Sequence, residues 1–451
     1  MTKDKKTLQN IDRKHIWHPF TQMKEWEEEE PLIIESGEGN YLIDVDGKRY
    51  LDGVSSLWVT VHGHRSQELD EAVKKQLGKI AHSTLLGLSN VPAVELAEKL
   101  VQIAPEGLSR VFYSDSGSTA VEIALKMAFQ YRQLKGQKSK KRFIALKEAY
   151  HGDTIGSVSV GGMELFHDIF RPLLFDAYRV MTPFCYRCEK GLDYPSCKLA
   201  CLSDVEALLE KEHENIAAMI VEPLVQGAAG MIVHPEGYLK GLRKLCDSYD
   251  IHLILDEVAT GFGRTGKMFA SAHEGVNPDI MAVAKGITGG YLPLAATLTT
   301  EDVYEAFKGD YGELKAFFHG HTYTGNPLAC AAAIANIDLF EKAQTMESLQ
   351  DKIQFLKEGL ERFNTLPNVG DIRQKGFMVG IELVEDKDSR RPYPFEMRMG
   401  HRVTMEARKL GVIIRPLGNV VVLMPPLSIS MDEITVLLDA VYKSVKEVTT
   451  K

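Results

Sequence analysis

Two side chains stand at the ends of apolar runs, where a buried acid and a buried amine could act on one molecule. The run Ile251 to Leu255 ends in Asp256, and the run Asp279 to Ala284 delivers Lys285 into a turn holding Gly286, Gly289 and Gly290. Runs of this length, closed by acidic or glycine-rich punctuation, read as buried strands of a parallel sheet. Ligands in open α/β sheets bind at the carboxyl ends of such strands, which puts both residues where chemistry takes place. Burial disfavours the charged form of a lysine and turns it toward a usable nucleophilic amine.

An acid and an amine placed this way suit pyridoxal phosphate. The amine can form an imine with the aldehyde, and the carboxylate can keep the pyridinium nitrogen protonated so that the ring accepts electrons. A structural ion pair would use the same two residue types, so the surrounding elements have to decide. Arg110 to Tyr113 reads as a strand, Ser114 to Ser118 as a small-residue turn, and Thr119 to Leu134 as a helix. A helix N-terminus reached through small residues presents free N–H groups and a positive dipole end, which makes Gly117 and Ser118 candidates for a phosphate. Strand Phe143 to Leu146 leads to Tyr150, whose ring could stack on a flat heterocycle or pack within a core. Strand Ala217 to Val221 runs into Glu222.

Elsewhere, residues 32 to 61 alternate around turn signals and predict a small antiparallel sheet. Helices are expected from Gln67 to Ile80 and after Asn90, where Pro92 fits a first turn. Gly411 to Pro416 and Val420 to Met424 read as a pair of strands. The aromatic cluster Trp17, His18, Phe20 lies near the terminus yet calls for burial.

The 451 residues, 25% charged and 44% hydrophobic, describe an ordinary globular chain with room for two or three structural units. A net charge of -9 gives no electrostatic case for nucleic acid. No apolar stretch approaches the roughly 20 residues that span a bilayer, and the charged first residues lack a signal-peptide core. A cytoplasmic location with reduced cysteines is therefore expected. Four of the six cysteines form the pattern Cys185-x2-Cys188, eight residues, Cys197-x3-Cys201. Four thiolates could hold zinc or an iron–sulfur cluster. The interval of eight is short for a zinc ribbon, so free thiols in a surface excursion, and no metal, are expected.

Taken together, DEVATGFGRTG, AKGITGG, the SGS turn, YHGDT, EP-x-x-QG and HTYTGNP resemble the class III pyridoxal-phosphate-dependent aminotransferases of fold type I. The motifs come in order over nearly the whole chain. Within that family, HIWHPFTQM, DGVSS-x-W-x-x-x-HGH and IIRPLGN-VVVLMPP resemble the branch that aminates 8-amino-7-oxononanoate to 7,8-diaminononanoate in biotin biosynthesis. The resemblance implies an α/β fold with a mostly parallel central sheet: a large cofactor domain over residues 76–330 and a small α+β domain from 1–75 and 331–451.

It also implies roles. Lys285 would carry the cofactor and shuttle the proton, Asp256 would pair with the pyridinium, and Val258 and Tyr150 would face the two sides of the ring. Gly117 and Ser118 would hold the phosphate, with His151 and Glu222 supporting these contacts from behind. Thr322 would reach the phosphate site of a second subunit, so a homodimer with shared sites is implied. Arg415 would bind the substrate carboxylate, and Gly320, Trp58, Leu57 and Phe20 would line the substrate channel.

Members of the family that take the amino group from S-adenosylmethionine carry two adjacent tryptophans where this chain has Leu57-Trp58, and a tyrosine where it has Phe20. Losing an aromatic wall and a hydroxyl removes stacking area and a hydrogen bond, which favours the L-lysine-using variant; simple repacking around the same donor is the alternative. The rivals are another ω-aminotransferase acting on ornithine, 4-aminobutyrate or a diamine, and a decarboxylase or aminomutase on the same scaffold. A cofactor-sensing regulator would need a DNA-binding segment, and no basic helical segment supplies one.

Overall fold

The runs that end at Asp256 and Lys285 are neighbouring strands at the centre of a seven-stranded sheet. In the computed structural model, which describes residues 3–450, this sheet is built from β1 (Leu108–Ser114), β2 (Arg142–Leu146), β3 (Tyr178–Val180), β4 (Ile216–Val221), β5 (His252–Asp256), β6 (Ile280–Val283) and β7 (Ala295–Thr300). Their spatial order is β1-β7-β6-β5-β4-β2-β3. All neighbours are parallel except those of β7, which runs antiparallel to both β6 and β1. The register sets Asp256 beside Ala282, so the chain leaves β6 and reaches Lys285 at the same sheet edge that carries the acid.

The pleat sorts the side chains between two layers. Ile254, Ile280 and Ala282 pack beneath helix α1 (Gly117–Leu134). Leu253, Leu255, Met219 and Val221 point the other way, onto Val205 and Leu209 of α2 (Leu202–Glu212) and Leu239 and Leu242 of α3 (Tyr238–Ser248). A sheet buried on both faces explains why these strands read as unbroken apolar runs instead of alternating ones. Truncating one of these leucines to alanine would cost about 2–5 kcal/mol.

Helix α1 begins two residues before the expected Thr119. Ser116 caps it reciprocally: the Ser116 hydroxyl accepts from the Thr119 N–H and the Thr119 hydroxyl accepts from the Ser116 N–H. The helix from Gln67 stops at Leu77, before Gly78, and leaves Leu77 and Ile80 exposed. The helix after Asn90 spans Val91–Ile103, with the Asn90 side chain accepting from the Ala93 N–H.

Ile34–Glu38, Tyr41–Asp44 and Arg49–Asp52 form the antiparallel meander expected of residues 32 to 61. The expected pairing of Gly411 to Pro416 with Val420 to Met424 holds only in part. Val412–Ile413 leaves that pair and adds parallel to Arg49–Asp52, whose edge is otherwise open; Arg415–Leu417 alone folds back onto Val420–Leu423 through Gly418, at φ 58°. One stretch thus serves two sheets. Among the described residues no helix is long and apolar enough to cross a membrane.

Candidate active site

A cavity of about 690 Å³ opens at the carboxyl edge of β4, β5 and β6, and both Asp256 and Lys285 line it. Lys285 has φ 46°, a left-handed backbone geometry that costs energy for a residue with a Cβ. The surrounding protein lowers its pKa from the ordinary 10.5 by desolvation, with Asp256 and Glu222 opposing the shift and Arg264 adding to it. Its Nζ lies 5.0 Å from the centroid of the Trp58 ring. Trp58 is itself held by a strained segment, since Ser55, Ser56 and Trp58 all have positive φ. Asp52, fully buried, fixes that segment by accepting from the N–H groups of Val54 and Ser56 and by pairing with the His64 ring at 2.9 Å.

Asp256 is buried, and each oxygen is already engaged by this chain. Oδ2 sits 2.7 Å from His151 Nδ1, and Oδ1 accepts from the Val258 N–H at 3.0 Å. Glu222 accepts from the N–H groups of Tyr150 and Gly227 at 3.1 and 2.9 Å, and desolvation pushes its pKa up to about 7. Tyr150 lines the cavity; its hydroxyl donates to Asp153 at 2.7 Å and its ring lies nearly parallel to that of His167, centroids 6.2 Å apart.

Gly117 and Ser118, the first two residues of α1, also line the cavity. By position their N–H groups have no acceptor within the helix and so remain available to an anion. A Cβ at Gly117 would come within 2.5 Å of Val258 Cγ1, so the small residue lets the helix start approach the wall beside it. Ser118 Oγ is 2.8 Å from the Thr154 hydroxyl, and Gly152, at φ 117°, leaves room for that contact.

Gly117, Ser118, Tyr150, His151, Glu222, Asp256, Val258, Lys285 and Trp58 therefore meet around one space. Phe20, Leu57, Gly320, Thr322 and Arg415 do not line it. Phe20 and Leu57 are 59% and 47% exposed, Phe20 meeting the Phe166 ring edge-on at 5.3 Å. Gly320 and Thr322 are exposed. Arg415 is half-buried within electrostatic reach of Tyr150, and burial lowers its pKa. Asp153, Thr154, Thr288 and Tyr291 also line the cavity. Asp153 and Thr154 are contiguous with Tyr150 in the sequence, and Thr288 and Tyr291 follow Lys285 within or just after the AKGITGG segment, so position alone marks all four.

The four clustered cysteines line a separate cavity of about 20 Å³ beside Phe184 and Pro235. Burial raises the Cys185 thiol and pushes Cys201 up to about 11, which keeps both protonated at neutral pH. Among the described residues no group of three or more His, Cys, Asp or Glu side chains is placed to hold a metal ion. Arg187 anchors this excursion to Glu382 through two hydrogen bonds.

Residues 22–445 match the family model "Aminotransferase class-III". The chain belongs to that family. The adenosylmethionine-8-amino-7-oxononanoate aminotransferase of Geobacter sulfurreducens is 56% identical over 99% of both chains, and that of Aquifex aeolicus 55% identical over 98% of both. Among solved structures, the adenosylmethionine-8-amino-7-oxononanoate aminotransferase of Methanocaldococcus jannaschii superposes with a TM-score of 0.95 at 51% identity, covering 98% of this chain and 99% of that one. An (S)-enantioselective ω-transaminase from Thermomicrobium roseum superposes with a TM-score of 0.95 at 36% identity over 99% of both. This aminotransferase accordingly has the fold type I architecture and depends on pyridoxal phosphate.

The residues present fit that cofactor. The N-terminus of α1 can take the phosphate, Tyr150 and Val258 line the space a flat ring would fill, and burial shifts the Lys285 amine toward its neutral form within the same space. His151 Nε2 is buried without a partner, a polar atom that the protein alone leaves unsatisfied.

Proposed function

We propose that this aminotransferase transfers an amino group to the ketone of 8-amino-7-oxononanoate, giving 7,8-diaminononanoate in biotin biosynthesis, with L-lysine as the amino donor. Arg415 carries this reading: a half-buried guanidinium within electrostatic reach of Tyr150, with no hydrogen bond or ion pair to any described residue. A cation left without a counter-charge in such a place is matched by a substrate carboxylate, which the guanidinium fork binds in two-point geometry. The acceptor follows from the relatives, which are 8-amino-7-oxononanoate aminotransferases by name.

When bound, pyridoxal phosphate supplies an electron sink for the pair released from a substrate C–H bond. Lys285 would take that proton as a base and give it up again on the cofactor side, a task suited to the neutral amine that its lowered pKa favours. Asp256 would keep the ring nitrogen protonated, its carboxylate oriented by His151. Gly117 and Ser118 would hold the phosphate, Tyr150 and Val258 would flank the ring, and Trp58 shields the Lys285 amine from water. Asp153 fixes the Tyr150 hydroxyl and with it the tilt of the ring.

For the donor, a single tryptophan lines the cavity wall at Leu57-Trp58, and Phe20 has no hydroxyl to offer. Both favour lysine over a bulky adenosyl group. S-Adenosylmethionine is the second reading, favoured by the names of the relatives. Mixing the holoenzyme separately with each donor and following the cofactor absorbance separates the two, and diamine formation from 8-amino-7-oxononanoate tests the acceptor. Lysine is expected to convert the cofactor and yield the diamine. Conversion by S-adenosylmethionine alone leaves only the second donor standing, and no diamine with either sinks the acceptor as well. In the same assay Arg415→Met should raise the KM for the acceptor roughly 10- to 100-fold.

The active unit in this reading is a homodimer. Leu86, Leu88, Phe318 and Tyr323 expose most of their surface, apolar area of the kind that marks a protein contact. Gly320 and Thr322 lie within the same stretch, away from their own chain's cavity, and would serve the phosphate site and channel of the second copy. Sedimentation at assay concentration should return twice the chain mass; a fully active monomer overturns the shared site.

A further inference from the structure

We propose that Asn336, on helix α4 (Pro327–Lys342), is a positioning residue for Lys285, its side-chain amide pinning the turn that keeps the lysine aimed into the cavity. The inference rests on Lys285 being the residue that carries the cofactor.

Lys285 opens a short 3₁₀ turn, Lys285–Thr288, that closes at Gly289 with φ 63°. A lysine at φ 46° stays there only if the chain is held on both sides. Upstream it is held by β6, bonded between β5 and β7. Downstream, Asn336 Nδ2 donates to both Gly286 O at 2.9 Å and Ile287 O at 3.1 Å. These are the first two carbonyls after the lysine. Gly286 also packs so closely on Phe262 that a Cβ would come within 2.8 Å of the Phe262 Cβ.

Asn336 is out of character for its surroundings. It is fully buried, and the buried positions around it on α4 include Cys330, Ala332, Ala333, Ile337, Leu339 and Phe340. Its Oδ1 is buried without any donor. Rotating the amide by half a turn would face that oxygen toward two carbonyl oxygens, so the observed orientation is the one that bonds the turn. A polar side chain with one unsatisfied atom is a poor choice for packing alone. Its backbone is tied as well: the Asn336 carbonyl lies 3.2 Å from His62 Nε2, and burial pushes the His62 pKa down to about 4, leaving a neutral ring whose Nε2–H donates. The helix thus reaches the lysine turn through one side chain whose bonds are specific in direction.

The test uses apo-protein of the wild type, Asn336→Leu and Asn336→Ser, reloaded with pyridoxal phosphate over a range of pH and followed by absorbance, with the Tm of each apo-protein measured alongside. The charged groups that act on the Lys285 amine are Asp256, Glu222 and Arg264, and all three are left in place. Wild type should load with a midpoint below the ordinary lysine value of 10.5, because the neutral amine is the reactive form and is present at lower pH than in a solvated lysine. Asn336→Leu should load roughly 10- to 100-fold more slowly, with an altered pH midpoint, and lose kcat by a similar factor while the substrate KM stays within about twofold. Loading and turnover equal to wild type, or a loss that only follows a fall in Tm with an unchanged pH profile, overturns the role. Should the leucine variant not fold, the same comparison on Asn336→Ser decides. Borohydride trapping and peptide mapping of the wild type keep the two layers apart. An unlabelled Lys285 removes the cofactor assignment itself, and a labelled one beside indifferent variants removes only Asn336.

Discussion

Lys285→Ala is expected to lower kcat by about 10⁴-fold or more, because a single substitution removes both the nucleophilic amine and the proton shuttle. The rest of the cavity stays intact. Asp256 keeps its bonds to His151 and Val258, and the α1 N-terminus and Tyr150 do not depend on the lysine for their placement. The variant should therefore still bind pyridoxal phosphate, now without a covalent link, and borohydride should attach no label. A small exogenous primary amine should restore part of the rate by taking over the proton transfer. The checks are steady-state kinetics with and without added amine, and mass spectrometry of the reduced protein. Activity within tenfold of wild type would falsify the assignment of Lys285.

Asp256→Asn should cost about 10²- to 10³-fold in kcat, the usual scale for removing one group that stabilises charge in a dry site. The amide is nearly the same shape, so the fold and the cavity should survive. What is lost is the negative charge that holds the ring nitrogen protonated. His151 magnifies the effect: its Nδ1 is 2.7 Å from Oδ2, and its Nε2 has no partner to compensate. KM should change much less than kcat, because the charge matters most after the substrate C–H bond begins to break. Equal losses of kcat and folded protein, read by kinetics and thermal melting together, would show instead that Asp256 is only structural.

The centre of the site was legible because its residues sit at strand ends. Apolar runs closed by Asp256 and Lys285 need only local pattern to be recognised, and the serine-rich start of α1 carries its own capping signal. Contacts set by distant packing left no such trace. The approach of Gly117 to Val258 and the bond from Asn336 to the lysine turn join residues far apart in sequence. The stretch Gly411 to Pro416 divides between two sheets, and strand pattern does not say which of them a strand will join. Phe20 and Leu57 carry recognisable motifs, yet exposure in this chain was invisible from residue type.

That divided stretch has a consequence for biogenesis. Val412–Ile413 completes the sheet that begins near the amino terminus, and the strand next to it presents Arg415. The wall carrying Trp58 and the Arg415 cation therefore become one rigid piece only after almost all of the polypeptide has left the ribosome. Pairing across so long an interval is intrinsically slow, so a nascent chain released early would hold its lysine and aspartate on a formed central sheet while still unable to read a substrate's tail.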